Sequence, residues 1–499
     1  MMSPGLTIDD IPDEMLLEIF HSYLQHFAND QPLWNKKHKW FKLMHVCRRW
    51  RHIVFASSTR LDLCLVVSTS NPGNMNTIFS PHLSPLPIAI EHGYPPSTAS
   101  HMKAKEFGCM LAALKHYNRV RGITFSGSAP DFDKLFEATK HPFPILEDLE
   151  LCNLDGRITE LKLPATFLKG SAPPLRRLQL TRISLTSISS SLLSSAMMLT
   201  ELCLRIYTPF TTASLLVHLQ DMHCLRHLEL KLRTWKVPSS INGTMSPTNH
   251  EDTFLLSKLT SFHYQGPSLF FSALVAGFTA PSLQDVHFIF DDDDDNDDKV
   301  PILHLSRFLD GVEKLYPSVQ IISEDDYFRI SLLTHSESID HPTPSFRFCS
   351  SCSPESIMRM SATLSVKLAT VKELLMVFIP ASYKLWDDNI LSSSFLRHFR
   401  SVKVLRVEHE DVLAIARILQ PDDVSALDLL PMLEEIEIRA MWDILSESPS
   451  QSQPVVFTEL AMGAFRSFLA ARQEAGHPVK ISGCLRVPFP EPNLSELFH

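Results

Sequence analysis

Apolar and polar positions alternate along most of the chain in one recurring pattern, Leu-x-x-Leu-x-Leu with apolar variants. The copies occupy residues 120–125, 146–151, 175–180, 199–204, 225–230, 259–264, 283–288, 402–407 and 433–438. The alternation within each copy is typical of a strand with one buried face. Copies spaced by a few tens of residues predict a repeat architecture, and the segments between them, such as residues 212–222, are expected to form return helices.

A single copy cannot cover its own apolar side, so the copies are expected to stack with their leucines pointing inward. The pattern resembles that of leucine-rich-repeat proteins, although Leu154 and Ile183 stand where that family usually has asparagine. The predicted fold class is therefore α/β, with a small N-terminal helical module (1–58) and a degenerate leucine-rich-repeat-like α/β solenoid (59–499). Residues 300–400 are irregular, with strand-like segments at 318–323, 327–333 and 345–350. An irregular α/β domain is the alternative.

The module begins with a predicted amphipathic helix in "IDDIPDEMLLEIFHSYL". Asp10 is expected to be the N-cap, Pro12 lies in the first turn, and Asp13 and Glu14 suit the positive end of the helix dipole. The apolar face of this helix consists of Met15, Leu16, Leu17, Ile19, Phe20, Tyr23 and Leu24.

A second helix is predicted over residues 43–54, "LMHVCRRWRHIV". Its apolar stripe, at helical spacing, contains Leu43, Val46, Cys47, Trp50, Ile53 and Val54. Arg48, Arg49, Arg51 and His52 lie beside that stripe. Two helices this short cannot bury both stripes against each other, so the pair is expected to dock on the rest of the chain or on another protein.

These two segments together resemble an F-box, in which Leu-Pro-x-Glu-Leu-Leu-x-x-Ile-Phe is followed by Val-Cys-Arg-x-Trp. The chain departs from that pattern at Ile11, in its longer connection between the half-motifs, and in "STRLDLCL" (58–65). Residues 46–63 and 465–482 also resemble the F-box expansions of mushroom-forming fungi.

The F-box resemblance implies a partner, the Skp-family adaptor, and through it the cullin and RING subunits of a ubiquitin ligase. The implied adaptor-binding residues are Ile11, Pro12, Leu16, Leu17, Ile19, Phe20, Leu43, Val46, Cys47 and Trp50. The arginines around Trp50 are expected to steer association with an acidic adaptor. The chain is then a non-catalytic substrate receptor, and the alternative is an interaction scaffold without a ligase role. Nuclear import or nucleic-acid binding by "KKHK" and "RRWR" is a weaker alternative.

Outward-facing strand residues are the candidate surface for a client protein, because stacked strands place them in one continuous row. The row contains Arg177, Gln179, Glu201, Arg205, His227, Glu229, Lys231, His263 and Gln265. It mixes both signs of charge, which suits a polar and specific partner. A solvated sheet face without a ligand is the alternative interpretation.

The composition of the chain argues mainly against an enzyme activity and a bound cofactor. The 499 residues carry a net charge of −10, to which the run "DDDDDNDD" (291–298) contributes seven aspartates, and we expect that run to be a solvated loop. Only 15 glycines stand against 34 prolines, and there is no phosphate-binding loop, His-Glu-x-x-His motif or serine elbow. We therefore expect no enzyme activity and no cofactor.

Metal, membrane and nucleic-acid partners are likewise not expected. Cys349 and Cys352 form the closest cysteine pair, but a zinc ribbon needs a second pair. The most apolar window, residues 268–280, is too short to span a bilayer and predicts a buried helix. Unpaired cysteines and the lack of a signal-peptide pattern indicate the cytoplasm or the nucleus.

Overall fold

The computed structural model describes two compact units, residues 1–227 and 228–499. Within them it describes residues 8–26, 40–68, 86–92, 104–155, 161–170, 174–184, 192–193, 197–207, 211–232, 253–290, 308, 318–324, 327–333, 346–350, 361–378, 394–408, 411–419, 428–439 and 455–483. The acidic run 291–298 and Cys352 lie outside these residues.

Helices and strands alternate along most of the described chain. The helices are α1 (Asp13–His26), α2 (Trp40–Met44), α3 (Arg48–Ala56), α4 (Ala104–Leu114), α5 (Ala129–Ala138), α6 (Thr212–Gln220), α7 (Ser268–Ala276), α8 (Ser365–Leu368), α9 (Val412–Ile418) and α10 (Val455–Glu474). The strands are β1 (Leu65–Ser68), β2 (Ile88–His92), β3 (Val120–Gly127), β4 (Asp148–Asn153), β5 (Arg177–Thr181), β6 (Glu201–Ile206), β7 (His227–Leu232), β8 (Phe254–Leu255), β9 (Ser261–Gly266), β10 (Phe278–Thr279), β11 (Asp285–Phe290), β12 (Ser318–Glu324), β13 (Tyr327–Leu333), β14 (Phe346–Ser350), β15 (Glu373–Phe378), β16 (Val404–Glu408), β17 (Glu435–Arg439) and β18 (Lys480–Gly483).

The first unit is built on a parallel sheet in which β1 to β6 follow one another in chain order. The register aligns the repeats directly, so that Leu149 faces Leu178 and Leu178 faces Leu202. These leucines are fully buried, and the residues between them are partly exposed. The predicted strands and the inward orientation of their leucines are confirmed, as is the return helix α6.

The second unit interrupts the parallel order once. Its strands follow the order β7-β9-β11-β14-β13-β12-β15-β16-β17-β18, and β13 runs antiparallel to both β12 and β14. The three strand-like segments of the irregular region 300–400 therefore do form strands, with a local reversal in place of regular repeats. Parallel pairing resumes between β12 and β15 and continues to β18.

Aromatic side chains fill the core of the second unit around α7. Phe271 of this helix packs 4.6 Å from Phe288 and 5.2 Å from Phe290 between ring centroids. The buried helix predicted within 268–280 is confirmed, although it ends at Ala276 and residues 278–279 form β10. Among the described residues, no helix combines the length and the apolar character needed to cross a membrane.

The mixed α/β architecture, with N-terminal helices followed by stacked repeat strands, thus agrees with the predicted fold class. The first unit contains both the helical module and the first repeat strands. The proposed domain limits at residues 58 and 59 stay a prediction.

Candidate protein-interaction site

The three N-terminal helices close around one apolar core. Leu16, Leu17 and Phe20 of α1 are buried there, together with residues of α2 and α3. The same core continues past the helices to Leu61, Leu63, Leu65 and Leu86. Because Leu65 belongs to β1, the helical module is packed directly onto the first strand of the sheet.

Tryptophan side chains organise this core. The ring of Trp50 lies 4.7 Å from that of Phe20, so Trp50 joins α3 to α1 within the chain itself. Trp40 is almost fully buried, stacks on Phe41 at 4.1 Å, and donates its indole N–H to the carbonyl of Cys64 at 3.2 Å. The sequence interpretation overlooked Trp40, whose signal was a tryptophan three residues ahead of the apolar stripe.

The single helix predicted over residues 43–54 is wrong. Helix α2 ends at Met44, and α3 starts at Arg48 after Cys47, whose backbone is extended (φ −155°, ψ 174°). The Cys47 sulfur accepts a hydrogen bond from the Trp50 N–H at 3.4 Å, which satisfies one of the free donors at the start of a helix. The break moves Val46 out of the buried stripe and leaves it exposed.

The predicted N-cap of the first helix is also wrong. Asp10 ends a short 3-10 turn, and α1 begins at Asp13. The carbonyl of Pro12 accepts hydrogen bonds from the N–H groups of Met15 and Leu16, both at 3.1 Å. Proline fits this place because it lacks an N–H and its φ already suits a helix start. The acidic first turn, Asp13 and Glu14, is confirmed.

Arg49 fastens the two half-motifs to each other. Its guanidinium donates to Asp13 Oδ1 from Nε at 2.8 Å and from Nη2 at 2.6 Å, and Nη2 also donates to the carbonyl of Ile11 at 2.5 Å. Arg51 donates to the carbonyl of Met44 at 3.1 Å. These two arginines therefore hold the module together, whereas the sequence interpretation had assigned them to steering a partner.

The module buries one set of apolar side chains and exposes another. Ile8, Met15, Ile19 and Val46 have exposures of 52%, 56%, 49% and 58%. Met15 and Ile19 are one helical turn apart and therefore lie on one face of α1.

The predicted adaptor-binding residues are divided by this packing. Leu16, Leu17, Phe20 and Leu43 are buried in the core of the module, and Ile11 and Trp50 are partly buried. The exposed members are Pro12, Ile19, Val46 and Cys47. The structure thus separates residues that build the module from residues that a partner can reach.

In the first unit, the predicted client-binding row is internally paired. Arg177 lies between Asp148 and Glu201 in the strand register, and its Nε donates to Glu201 at 2.5 Å. Burial disfavours the charged guanidinium, but the hydrogen bond and the charge of Glu201 outweigh it and raise the pKa of Arg177. Gln179 donates to Glu150 at 3.1 Å. Arg205 and His227 are partly exposed on β6 and β7.

The second unit shows the same pairing. Lys231 Nζ lies 2.8 Å from Glu229, and His263 Nε2 lies 2.7 Å from Asp285 Oδ2. Gln265 is partly exposed near the end of β9. The Lys231–Glu229 pair lies within β7, whereas the His263–Asp285 contact joins β9 to β11 and supports the pairing of these two strands.

Ser261, His263 and Asp285 bring together the three residue types of a hydrolytic triad. Such a triad needs the carboxylate on one ring nitrogen and the serine on the other. Here the Ser261 hydroxyl (3.3 Å) and the Asp285 carboxylate (2.7 Å) both lie against His263 Nε2, and the hydroxyl also donates to Asp285 at 3.0 Å. This arrangement cannot relay a proton from serine to carboxylate, and we interpret it as part of the polar pairing on the sheet face.

Comparison with known families and structures agrees with the helical module. No curated protein matches the chain. The yeast Rad7–Elc1 complex contains a chain that is 13% identical, with a TM-score of 0.30 over 89% of this chain and 91% of that one, a likeness too distant to support an assignment. Residues 8–65 match the F-box-like family. These residues enclose α1 to α3 and the core they share, and the N-terminus of the chain therefore carries an F-box-like domain.

Proposed function

We propose that this protein is a substrate-recognition subunit of a Skp–cullin–F-box ubiquitin ligase. The F-box-like domain would bind a Skp-family adaptor, and through it the cullin and RING subunits. The repeat units would bind a client protein. The chain would contribute no reacting group, because holding a client near the ubiquitin donor raises its effective concentration.

One observation carries this proposal. The F-box-like domain buries its core within this chain, between its helices and against β1, yet it leaves Ile8, Met15, Ile19 and Val46 about half exposed. Several large exposed apolar side chains on one small module are typical of a protein interface. Burying them against an adaptor would supply apolar contact area without any rearrangement of the core.

The packing predicts which substitutions separate binding from folding. Ile19→Asp combined with Val46→Asp places charges on exposed positions, so we expect the domain to fold and adaptor binding to fall more than tenfold, as about 1.4 kcal/mol or more is lost. Phe20→Ala removes a fully buried ring and should instead unfold the domain, because such truncations cost about 3–5 kcal/mol.

Titration calorimetry with a purified Skp-family adaptor measures the first effect, and circular dichroism verifies the fold. Val217→Asp is the matched control, because Val217 is also exposed but lies on α6, outside the domain. Adaptor affinity of the Ile19–Val46 variant within about threefold of wild type would contradict the proposal. Co-purification of the adaptor without cullin would favour a scaffold that has no ligase role.

Client binding by the outward rows is part of the same proposal, with one added condition. Charges of the rows are already paired on the sheet face, as Arg177–Glu201 and Lys231–Glu229 illustrate. A client would therefore have to offer groups that join these pairs or replace one of their members. Such a requirement favours specificity over affinity, because a mispaired charge at an interface is costly.

A further inference from the structure

Exposed apolar side chains also recur at one edge of the sheet in the first unit. Ile145, Pro174 and Met198 occupy the same position in successive repeats, one residue before the first leucine of each pattern. Ile145 and Met198 have exposures of 37% and 56%, and Met197 beside the latter has 58%. The leucines that follow them, Leu146, Leu175 and Leu199, are fully buried in the core.

Backbone hydrogen bonds show that these positions are lateral neighbours. The N–H of Arg176 donates to the carbonyl of Glu147 at 2.8 Å, and the N–H of Thr200 donates to the carbonyl of Arg176 at 2.8 Å. Glu147, Arg176 and Thr200 each lie two positions after an exposed apolar residue. These residues are Ile145, Pro174 and Met198, respectively. The segments leading into β4, β5 and β6 therefore emerge side by side at the N-terminal edge of the strands.

Tyr117 extends the row toward β3. Its ring stacks on His141 at 5.1 Å and meets the buried Phe143 at 6.4 Å, in the segment that leads to Ile145. We call Tyr117, Ile145, Pro174, Met197 and Met198 the edge ridge. From β3 to β6 the ridge crosses three strand spacings, about 14 Å, which equals the length of about ten residues of α-helix.

The surroundings of the edge ridge are basic although the chain as a whole has a net charge of −10. The segments 115–119, 140–147, 174–176, 197–200 and 223–226 contain five lysines and arginines and one glutamate. That glutamate, Glu147, lies 2.8 Å from Arg121 and 3.7 Å from the exposed Arg176. Arg121 is shared with Asp62, and Lys140 is paired with Glu137 at 2.6 Å. The exposed cations beside the ridge are Lys115, Arg176 and Arg226, and these three form its positive flank.

We propose that the edge ridge binds an acidic amphipathic helix of a partner protein. Apolar anchors on a helix recur about every 5.4 Å, close to the strand spacing along the ridge, so successive turns can meet successive repeats. Exposed methionines suit such a contact because their flexible side chains adapt to the partner surface. Arg176 and Arg226 then face the acidic side of the bound helix.

A fluorescein-labelled synthetic helix tests the proposal directly on the full chain. The probe has about 14 residues, with leucines at i, i+3, i+4, i+7 and i+11 and glutamates on the opposite face. Fluorescence anisotropy should show saturable binding to wild type. Ile145→Asp with Met198→Asp, and separately Arg176→Glu, should each weaken binding about tenfold or more. Val217→Asp, an equally exposed apolar position on α6, should leave it unchanged.

Two results would overturn the proposal. The first is probe affinity that the ridge variants do not alter. The second is non-specific attraction to charge. It would be shown if a peptide of the same composition, with its leucines spread around the helix, bound as tightly as the probe, or if polyglutamate displaced the probe equally well. If the aspartate variants lower the melting temperature, Ile145→Gln with Met198→Gln provides the same test without adding charge.

The edge-ridge proposal does not depend on adaptor binding, and the experiments can contradict either proposal without the other. The ridge variants should retain adaptor binding, because none of their positions lies within residues 8–65. The Ile19→Asp and Val46→Asp variant should retain binding of the synthetic helix. Loss of both interactions in either variant would indicate unfolding of the first unit, and the melting temperature detects that outcome.

Discussion

A buried arginine in the second unit offers the sharpest test of the packing. Arg472 on α10 is only 1% exposed, and its guanidinium points at the turn that leads into β17. It donates to the carbonyls of Leu430 (3.5 Å), Pro431 (3.3 Å) and Leu433 (2.9 Å). Burial disfavours the charged form and lowers the pKa of Arg472. The hydrogen bonds to the three carbonyls offset part of that cost, and the buried Nε has no hydrogen-bond partner among the described residues.

The stability lost in Arg472→Met can be estimated from the carbonyl groups that lose their hydrogen-bond donor. Leu430 keeps a second hydrogen bond, because its carbonyl also accepts from the Leu433 N–H at 3.0 Å. The carbonyls of Pro431 and Leu433 lose the guanidinium. Each unsatisfied buried acceptor costs about 1–3 kcal/mol, and removing a buried charge returns part of that. We expect a net destabilisation of about 2–3 kcal/mol.

Calorimetric unfolding of the full chain measures this loss as a lower melting temperature. Arg466→Met is the matched control, since Arg466 lies on the same helix but is exposed, and such surface changes stay within about 0.5 kcal/mol. Arg472→Lys keeps the positive charge but lacks the planar guanidinium. Its melting temperature should therefore lie between those of Arg472→Met and Arg466→Met. Arg472→Met with wild-type stability would refute the reasoning, because the turn would then be satisfied without the arginine.

Three further substitutions test separate contacts. Arg177→Glu should destabilise the first unit by about 1 kcal/mol by opposing Glu201, and the charge-swapped pair Arg177→Glu with Glu201→Arg should recover only part of it in thermal unfolding, because the carboxylate at 177 still faces Asp148. Burial lowers the pKa of His398, so the unfolded chain binds protons first as the pH falls below 6.5, and stability should decline there less steeply in His398→Gln. Gly266→Ala should lower the melting temperature by the equivalent of about 2 kcal/mol, because φ is +150° and a Cβ atom would lie 2.8 Å from Leu232 Cβ.

Local periodicity predicted the repeat strands and their stacking, but not the reversal among β12, β13 and β14. Each Leu-x-x-Leu-x-Leu segment became a strand because alternation and burial are properties of a few neighbouring residues. The antiparallel β13 starts only two residues after β12 and pairs with it, a local reversal that the repeat pattern does not contain. The prediction also missed β1 and β2, whose continuous apolar stretches lack the repeat pattern, and β15, in which Met376 takes the place of the last leucine.

The candidate site shows the same division. Apolar spacing identified the residues of the F-box-like domain, but Ile19 and Phe20 looked equivalent on the predicted helix. The structure buries Phe20 against Trp50 and exposes Ile19, a difference set by how α1 and α3 pack. The helix break at Cys47 is marked by one side-chain cap, the Cys47 sulfur at the start of α3. The spacing of apolar residues carries no signal for such a single contact. Sequence therefore identified the residues of the F-box-like domain, and tertiary packing decided which of its side chains are exposed.

The shared core of the F-box-like domain and β1 has a consequence for how the two proposed contacts cooperate. Leu61, Leu63 and Leu65 carry that core from the helices into the sheet without an intervening linker. A linker would let a client sample many positions relative to the adaptor, and its effective concentration would fall as the linker lengthened. Packing instead fixes the adaptor-facing residues and the first repeats within one compact unit, which also contains the edge ridge. If the adaptor and the client bind as proposed, the position of a client on the first repeats relative to the adaptor follows from side-chain packing along β1.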